Sequence, residues 1–137
     1  MKDLDDKVYH LQVEINTTAT FDLNGHKFLA DQGDYNYVRG NLTFMDSSAN
    51  ESGVYYSKVD WVQNAQDKTT LKVIGEKALL TIESGTIEGR CADNTFDDNK
   101  GQFGIGVQEG GNVVMNGGTI KAGWYAIAGN GDCLLST

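Results

Sequence analysis

The sequence contains no proline, and it has only two cysteines and two histidines among its 137 residues. Without proline, the corners of the chain have to be made by other residues that tolerate tight turns, and 17 glycines are present for this purpose. The two cysteines, Cys91 and Cys133, do not have the spacing of zinc ligands. We therefore expect two small space-filling residues, with a disulfide between them as the alternative.

Positive charge is also scarce, because 19 Asp and Glu residues outnumber 11 Lys and Arg residues and give a formal net charge of −8. A surface this acidic disfavours nucleic acid and anionic membranes as partners. No stretch approaches the ~20 apolar residues needed to span a bilayer, so no membrane segment is predicted. Residues 1–10 carry charges before any apolar run, so no signal peptide is predicted. These features fit an extracellular protein whose leader has been removed, or a virion protein assembled inside a cell.

What the sequence does contain is a repeat. Ile105 and Ile127 are 22 residues apart, and each is followed by a glycine-rich turn and a second apolar pair, Val113-Val114 or Leu134-Leu135. Short apolar segments that recur at such a period are typical of a solenoid, in which each repeat is stable only when it stacks on its neighbours.

The same frame extends towards the N-terminus. The segment Leu80–Ile87 aligns with Val113–Ile120, which places Leu80 over Val113. The spacings between successive copies are 21, 38, 33 and 22 residues, measured at Phe21, Leu42, Leu80, Val113 and Leu135. The two longer spacings predict two inserted loops, near residues 47–68 and 91–102.

Within each copy, apolar and polar residues alternate, as in a strand with one buried face. Leu80 and Ile82 are predicted to face inwards, and Thr81 and Glu83 outwards. Corners are predicted at three pairs that tolerate positive φ, namely Asn24-Gly25, Ser84-Gly85 and Gly117-Gly118. A common interior is predicted for Phe21, Leu23, Leu80, Ile82, Val113 and Met115.

The segments Asp22–Phe28 (DLNGHKF) and Met115–Gly123 (MNGGTIKAG), with the ladder around them, resemble right-handed parallel β-helix proteins of the pectate-lyase-like type. The resemblance runs from Val13 to Thr137 and includes the β-helix segments of phage fibre and spike proteins. It implies an all-β fold, a right-handed parallel β-helix of about four to five rungs. In this interpretation residues 13–137 form the β-helix domain, and the natural protein continues beyond residue 137.

Residues 1–12 are predicted to form a separate N-terminal segment. Leu4, Val8 and Leu11 are spaced as on one face of a short helix, and acidic residues fill its first turn. Because the first turn of a solenoid otherwise exposes an unpaired strand edge, this helix is expected to cap it. An attachment arm is the alternative.

The loop at 91–102 is the most acidic in the chain, and Asp93, Asp97 and Asp98 are its candidate metal ligands. Oxygen-rich loops bind Ca²⁺, although the spacing here does not fit an EF-hand. The family resemblance implies that such an Asp cluster could hold Ca²⁺ for a lyase reaction, with Arg90 or Lys100 as the base. A solvated loop without metal is the alternative. Outward positions on adjacent repeats align no two carboxylates, so no glycosidase pair is predicted on that face.

Aromatic residues are the stronger indication of a binding site. Tyr55, Tyr56 and Trp61 fall in the first predicted insertion, and Trp124 and Tyr125 follow a corner. Exposed aromatic faces stack on sugar rings, so these five residues are predicted to bind carbohydrate. The alternative is that they pack against the flank of the β-helix.

Two classes of function follow from the resemblance. The first is a non-enzymatic structural protein of a virion, such as a phage head-fibre, tail-fibre or spike segment, with glycan binding as an added property. Its expected partners are further copies of itself in a homotrimer, or other virion proteins, because Ala126–Thr137 would otherwise leave an unpaired edge with Leu134 and Leu135 half covered. The alternative is a secreted bacterial polysaccharide lyase or glycoside hydrolase, or a cell-surface adhesin. No cofactor other than Ca²⁺ is predicted.

Overall fold

Alternating apolar and polar residues, interrupted by glycine-rich corners, make the chain a succession of short strands. The computed structural model describes residues 4–30, 35–59, 69–97, 102–129 and 132–135, with backbone geometry only for 4–7 and 132–135. These residues form fifteen β-strands and no α-helix. The strands are β1 (Leu4–Tyr9), β2 (Gln12–Val13), β3 (Thr18–Asp22), β4 (Lys27–Ala30), β5 (Tyr37–Val38), β6 (Asn41–Met45), β7 (Val54–Lys58), β8 (Thr69–Ile74), β9 (Leu79–Ile82), β10 (Thr86–Arg90), β11 (Phe103–Gln108), β12 (Asn112–Met115), β13 (Thr119–Ala122), β14 (Tyr125–Gly129) and β15 (Asp132–Leu135).

The strands form three five-stranded parallel sheets, which the chain visits in a fixed order. Sheet A has the order β1-β4-β7-β10-β13, sheet B has β2-β5-β8-β11-β14, and sheet C has β3-β6-β9-β12-β15. Each strand therefore pairs with the strand three places along the chain, and we call three successive strands a rung. The prediction of an all-β chain that stacks parallel strands in successive repeats is confirmed.

The predicted register is confirmed in the middle of the chain. Leu80 lies opposite Leu42 on one side and Val113 on the other. Ile87 lies opposite Ile120 in sheet A, and Ile105 lies opposite Ile127 in sheet B. The repeat that the sequence showed is thus a stacking of equivalent residues on neighbouring rungs.

At both ends of sheet C the predicted register is wrong by two residues. Ala19, and not Phe21, lies opposite Leu42, which places Phe21 opposite Phe44. Likewise Cys133, and not Leu135, lies opposite Val113. A shift of two residues keeps every side chain on the same face of a strand, so the alternation of apolar residues could not detect it.

The predicted interior is confirmed. Leu23, Leu80, Ile82 and Val113 belong to the buried core, and Phe21 and Met115 are partly buried against it. Aromatic rings fill one part of this interior, where Phe21 meets Phe28, Phe44 and Tyr55 at centroid distances of 5.1, 5.9 and 5.7 Å. Such contacts add to the free energy that area burial alone contributes.

The predicted corners are also confirmed. Asn24 and Gly25 have φ values of 46° and 78°, and Gly85 and Gly118 have values of 85° and 81°. The corners at Gly85 and Gly118 are stacked on each other: a Cβ atom built on Gly118 would be 2.8 Å from the carbonyl oxygen of Gly85. Glycine is required there both by the left-handed backbone and by the close approach of the next rung.

A carboxylate that the sequence did not single out holds the corners between sheets C and A together. Asp46 is buried, and its Oδ1 atom accepts hydrogen bonds from the backbone N–H of Gly25 at 2.9 Å and of Ser48 at 3.0 Å. Its Oδ2 atom accepts one from the N–H of Gly53 at 2.5 Å, and the hydroxyl of Ser84 donates to its carbonyl oxygen at 3.1 Å. One residue therefore joins corners that belong to successive rungs.

The predicted N-terminal helix is wrong. Leu4–Tyr9 is a strand, β1, which pairs in parallel with β4. The register of this pairing shifts between Leu4 and Val8. Leu11 is partly buried against the core, whereas Val8 is exposed. Whether residues 1–12 act as a cap or as an attachment arm stays a prediction.

The first predicted insertion contains a strand of the stack. Val54–Lys58 is β7, the central strand of sheet A, and it pairs with both β4 and β10. A connection of residues 46–53 precedes it, and residues 60–68 lie outside the described residues. The second predicted insertion, 91–102, does connect two strands, β10 and β11.

Candidate functional site

Two neighbouring aromatic side chains are exposed where the chain enters β14. Trp124 is 47% exposed and Tyr125 is 53% exposed. The preceding corner at Gly123 turns the chain from sheet A to sheet B, and it is fixed to the rung before it. The backbone N–H groups of Trp124 and Tyr125 both donate to the carbonyl oxygen of Gln102, at 3.0 and 3.3 Å.

A third ring completes this surface. Phe103 in β11 lies opposite Tyr125 in the register of sheet B. Its ring is stacked on Trp124 at 5.7 Å and 11° and on Tyr125 at 5.9 Å and 17°. The rings of Trp124 and Tyr125 are 5.5 Å apart and 20° from parallel. We call these three residues the aromatic platform.

The aromatic platform is suited to a ligand with a flat apolar face and polar edges. Nearly parallel rings present one apolar surface, and the indole N–H and the phenol O–H place polar groups at its margin. A pyranose ring has this character, because its C–H groups form an apolar face and its hydroxyls project around the edge. Carbohydrate binding by Trp124 and Tyr125 therefore stays a prediction, and the arrangement of the two rings is now defined.

A shallow groove adjoins the aromatic platform on sheet B. It has a volume of about 290 Å³.

The groove is lined by Thr69, Phe103, Gly106, Gln108, Ala128 and Gly129, none of which is charged. Phe103 belongs both to this groove and to the aromatic platform, so the two surfaces are continuous. We call this surface the glycine groove.

Two of the predicted carbohydrate-binding residues are not exposed. Tyr55 is 0% exposed, and its hydroxyl donates to Oδ1 of Asn36 at 2.6 Å. Tyr56 is 4% exposed, and the guanidinium of Arg90 lies 3.9 Å from the centre of its ring. The expectation that these rings lie on a surface loop is therefore wrong, because β7 places one ring in the core and the other under Arg90. Trp61 lies outside the described residues.

The predicted metal ligands are only partly described. Oδ1 of Asp93 accepts hydrogen bonds from the backbone N–H and the hydroxyl of Thr95, at 3.1 and 2.5 Å, which closes a local turn. Asp98 lies outside the described residues. Among the residues with described side chains, no group of three or more His, Cys, Asp or Glu is placed to hold a metal ion. Ca²⁺ binding by this loop stays a prediction.

The acidic loop lies against the corner that carries the aromatic platform. A Cβ atom built on Gly123 would be 2.9 Å from the carbonyl oxygen of Asp97. Nearby, the ammonium group of Lys121 lies 4.1 Å from the centre of the Phe96 ring. Cys91, at the start of the loop, is a buried free thiol, and its sulfur lies 3.7 Å from the carbonyl oxygen of Asp97. The side chain of Cys133 lies outside the described residues.

Sequence reasoning missed Phe103 and the glycine groove. The signal for Phe103 was present, because it precedes Tyr125 by the same 22 residues that separate Ile105 from Ile127. The groove had no comparable signal. Its shape depends on the pairing of β8, β11 and β14, which brings Thr69 and Gly129 to the same face.

In the part of the chain that the structure describes, no helix is long and apolar enough to cross a membrane. Comparison of the chain with protein-family models, with curated proteins and with solved structures finds no match.

Proposed function

We propose that the chain is a right-handed parallel β-helix of the pectate-lyase-like kind. The order of the strands supports this, because in all three sheets each strand pairs with the strand three places along the chain. Connections between parallel strands of one sheet are right-handed in almost all proteins, which supports the same hand here.

We further propose that this β-helix is a non-enzymatic, structural segment that binds glycans through the aromatic platform. The observation that carries the proposal is the exposure of Trp124 and Tyr125 in a stack with Phe103. Two large rings exposed to water cost free energy, which would be regained if a ligand covered them. Exposed aromatic residues are also common anchors in binding interfaces. A rigid stack of rungs supports the rings from below and limits the entropy lost on binding.

The proposed setting is the surface of a virion, as part of a phage head fibre, tail fibre or spike. The proposed partners are further copies of this chain in a homotrimer, or other virion proteins. An extracellular or cell-surface adhesin would use the same platform in the same way. The formal net charge of −8 is compatible with each of these settings.

A carbohydrate-active enzyme is the second candidate. The observation that favours it is the position of the acidic loop, whose Asp97 backbone lies against Gly123, next to the aromatic platform. If the loop binds Ca²⁺, a hundredfold excess over the dissociation constant would stabilise the fold by about 2.7 kcal/mol. A Ca²⁺-dependent rise in melting temperature, with cleavage of a bound polysaccharide, would support this candidate over the structural one.

The test of the proposed function is binding to a glycan array, followed by calorimetry with the glycans that bind. We expect Trp124→Ala and Tyr125→Ala each to weaken binding about tenfold, because each removes one stacking surface. Tyr35→Ala is the matched control, since Tyr35 is 54% exposed but lies beside β5, towards the other end of sheet B.

Wild-type binding that survives both platform substitutions would contradict the proposal. So would an equal loss in Tyr35→Ala, because that result would indicate a general effect on the fold.

A further inference from the structure

We propose that the glycine groove is a second subsite, which takes an uncharged sugar unit linked to the one stacked on the aromatic platform. This inference rests on the proposed function and deepens it, because it names the class of glycan. It predicts a preference for neutral oligosaccharides over single sugars and over acidic chains.

The first support is continuity between the two surfaces. Phe103 lies opposite Thr69 on one side and opposite Tyr125 on the other. The platform lies where β11 and β14 begin, and the groove continues from Phe103 along these strands to Gln108 and Gly129. Gln108 is five residues beyond Phe103, which corresponds to about 16 Å along a strand. Linked sugar rings that lie along the strands would contact both surfaces.

The second support is the shape of the groove. Its volume of about 290 Å³ is close to the lower limit of the pockets that hold small molecules, which begin at about 300 Å³. Gly106 and Gly129 contribute no side chains, so the backbone itself forms part of the lining. A Cβ atom at Gly106 would lie 3.0 Å from the Thr69 side chain, so a larger residue there would narrow the groove.

The third support is the polarity of the lining. Gln108 and Thr69 supply an amide and a hydroxyl, which can both donate to and accept from sugar hydroxyls. None of the described residues that line the groove is a lysine or an arginine that could pair with a carboxylate. Because an unpaired charge is costly to desolvate, the groove favours an uncharged sugar over a uronate or a sialic acid.

The experiment is calorimetry with four probes: glucose, cellotetraose, chitotetraose and tetragalacturonate. Gln108→Leu removes the amide at similar volume, and Gly106→Ala narrows the groove without a positive-φ penalty. We expect the wild type to bind a neutral tetrasaccharide most tightly. Each groove substitution should weaken that binding about tenfold, the value of one lost hydrogen bond or contact, and leave glucose binding unchanged.

Melting curves show whether each variant is folded, and Gln108→Leu keeps the test valid if Gly106→Ala is unstable. If Trp124→Ala loses binding but the groove variants bind the neutral tetrasaccharides as the wild type does, the subsite is wrong and the proposed function stands. Tighter binding of tetragalacturonate would also overturn the subsite. If Trp124→Ala has no effect either, both proposals fail.

Discussion

At the scale of single residues, Asp46 shows how a charged group can stabilise a buried corner. Burial opposes its ionised form, but the hydrogen bonds from Ser48, Gly53 and Gly25 outweigh this effect and hold its pKa below the ordinary value of 3.8. Since the folded pKa is lowered, Asp46 stabilises the fold above the pKa of the unfolded state. That contribution is lost as the pH falls through the folded pKa.

We predict that Asp46→Asn lowers the free energy of unfolding by about 2–4 kcal/mol at pH 7, because an amide cannot accept all of these hydrogen bonds. The difference from the wild type should shrink as the pH is lowered below 3.8. Urea unfolding at a series of pH values measures this. A difference that does not depend on pH would contradict the assigned role, and Asp93→Asn is the control because Asp93 is exposed.

At the scale of strands, the alternation of side chains decides what a substitution costs. Ile82 is 0% exposed between Phe44 and Met115, whereas Thr81 is next to it on the outer face. We predict that Ile82→Asp lowers the free energy of unfolding by several kcal/mol, because it buries an unpaired carboxylate. Thr81→Asp is the matched control, with an expected change of about 0.5 kcal/mol. An Ile82→Asp protein that melts at the wild-type temperature would contradict the fold.

The strands that could be predicted from the sequence are those whose neighbours repeat them closely. The same apolar pattern and the same corner length occur in Leu80–Ile82 and Val113–Met115, so the register between these strands could be predicted. β7 was missed because Tyr55 and Tyr56 are both buried, on opposite faces, which removes the alternation that marks a strand. β1 was mistaken for a helix because Leu4, Val8 and Leu11 have a helix-like spacing in the sequence, although Val8 is exposed and does not contribute to a buried face.

The candidate site was predictable in part for the same reason. Trp124 and Tyr125 follow a recognisable corner, so their exposure could be inferred from position alone. The ring of Phe103 and the walls of the glycine groove come from three different rungs. Their proximity depends on the exact length of the connections between strands, which composition and periodicity do not determine.

At the scale of the whole molecule, the outermost strands have a neighbour on one side only among the described residues. β13 and β14 each pair with a single strand, and Ile120 and Ile127 on these strands are only partly buried. Unpaired edges of this kind recruit further strands, which supports the proposed self-association.

We predict that the chain sediments as an oligomer, with a trimer as the expected species, at micromolar concentration. Ala126→Lys should weaken association, because Ala126 is exposed on β14 and lysine on an edge strand opposes pairing. Thr81→Lys, on a strand with two neighbours, is the control. A wild-type chain that sediments as a monomer throughout this range would contradict the prediction.

The central claim is that a glycan binds across the aromatic platform and the glycine groove. The most direct measurement is the change in backbone amide NMR chemical shifts when a neutral tetrasaccharide that binds in calorimetry is titrated into the isotope-labelled protein. We predict that the largest changes fall in Phe103–Gln108 and Tyr125–Gly129, with small changes in β3 and β6 of sheet C. Changes concentrated on another face, or none at saturating ligand, would contradict the claim.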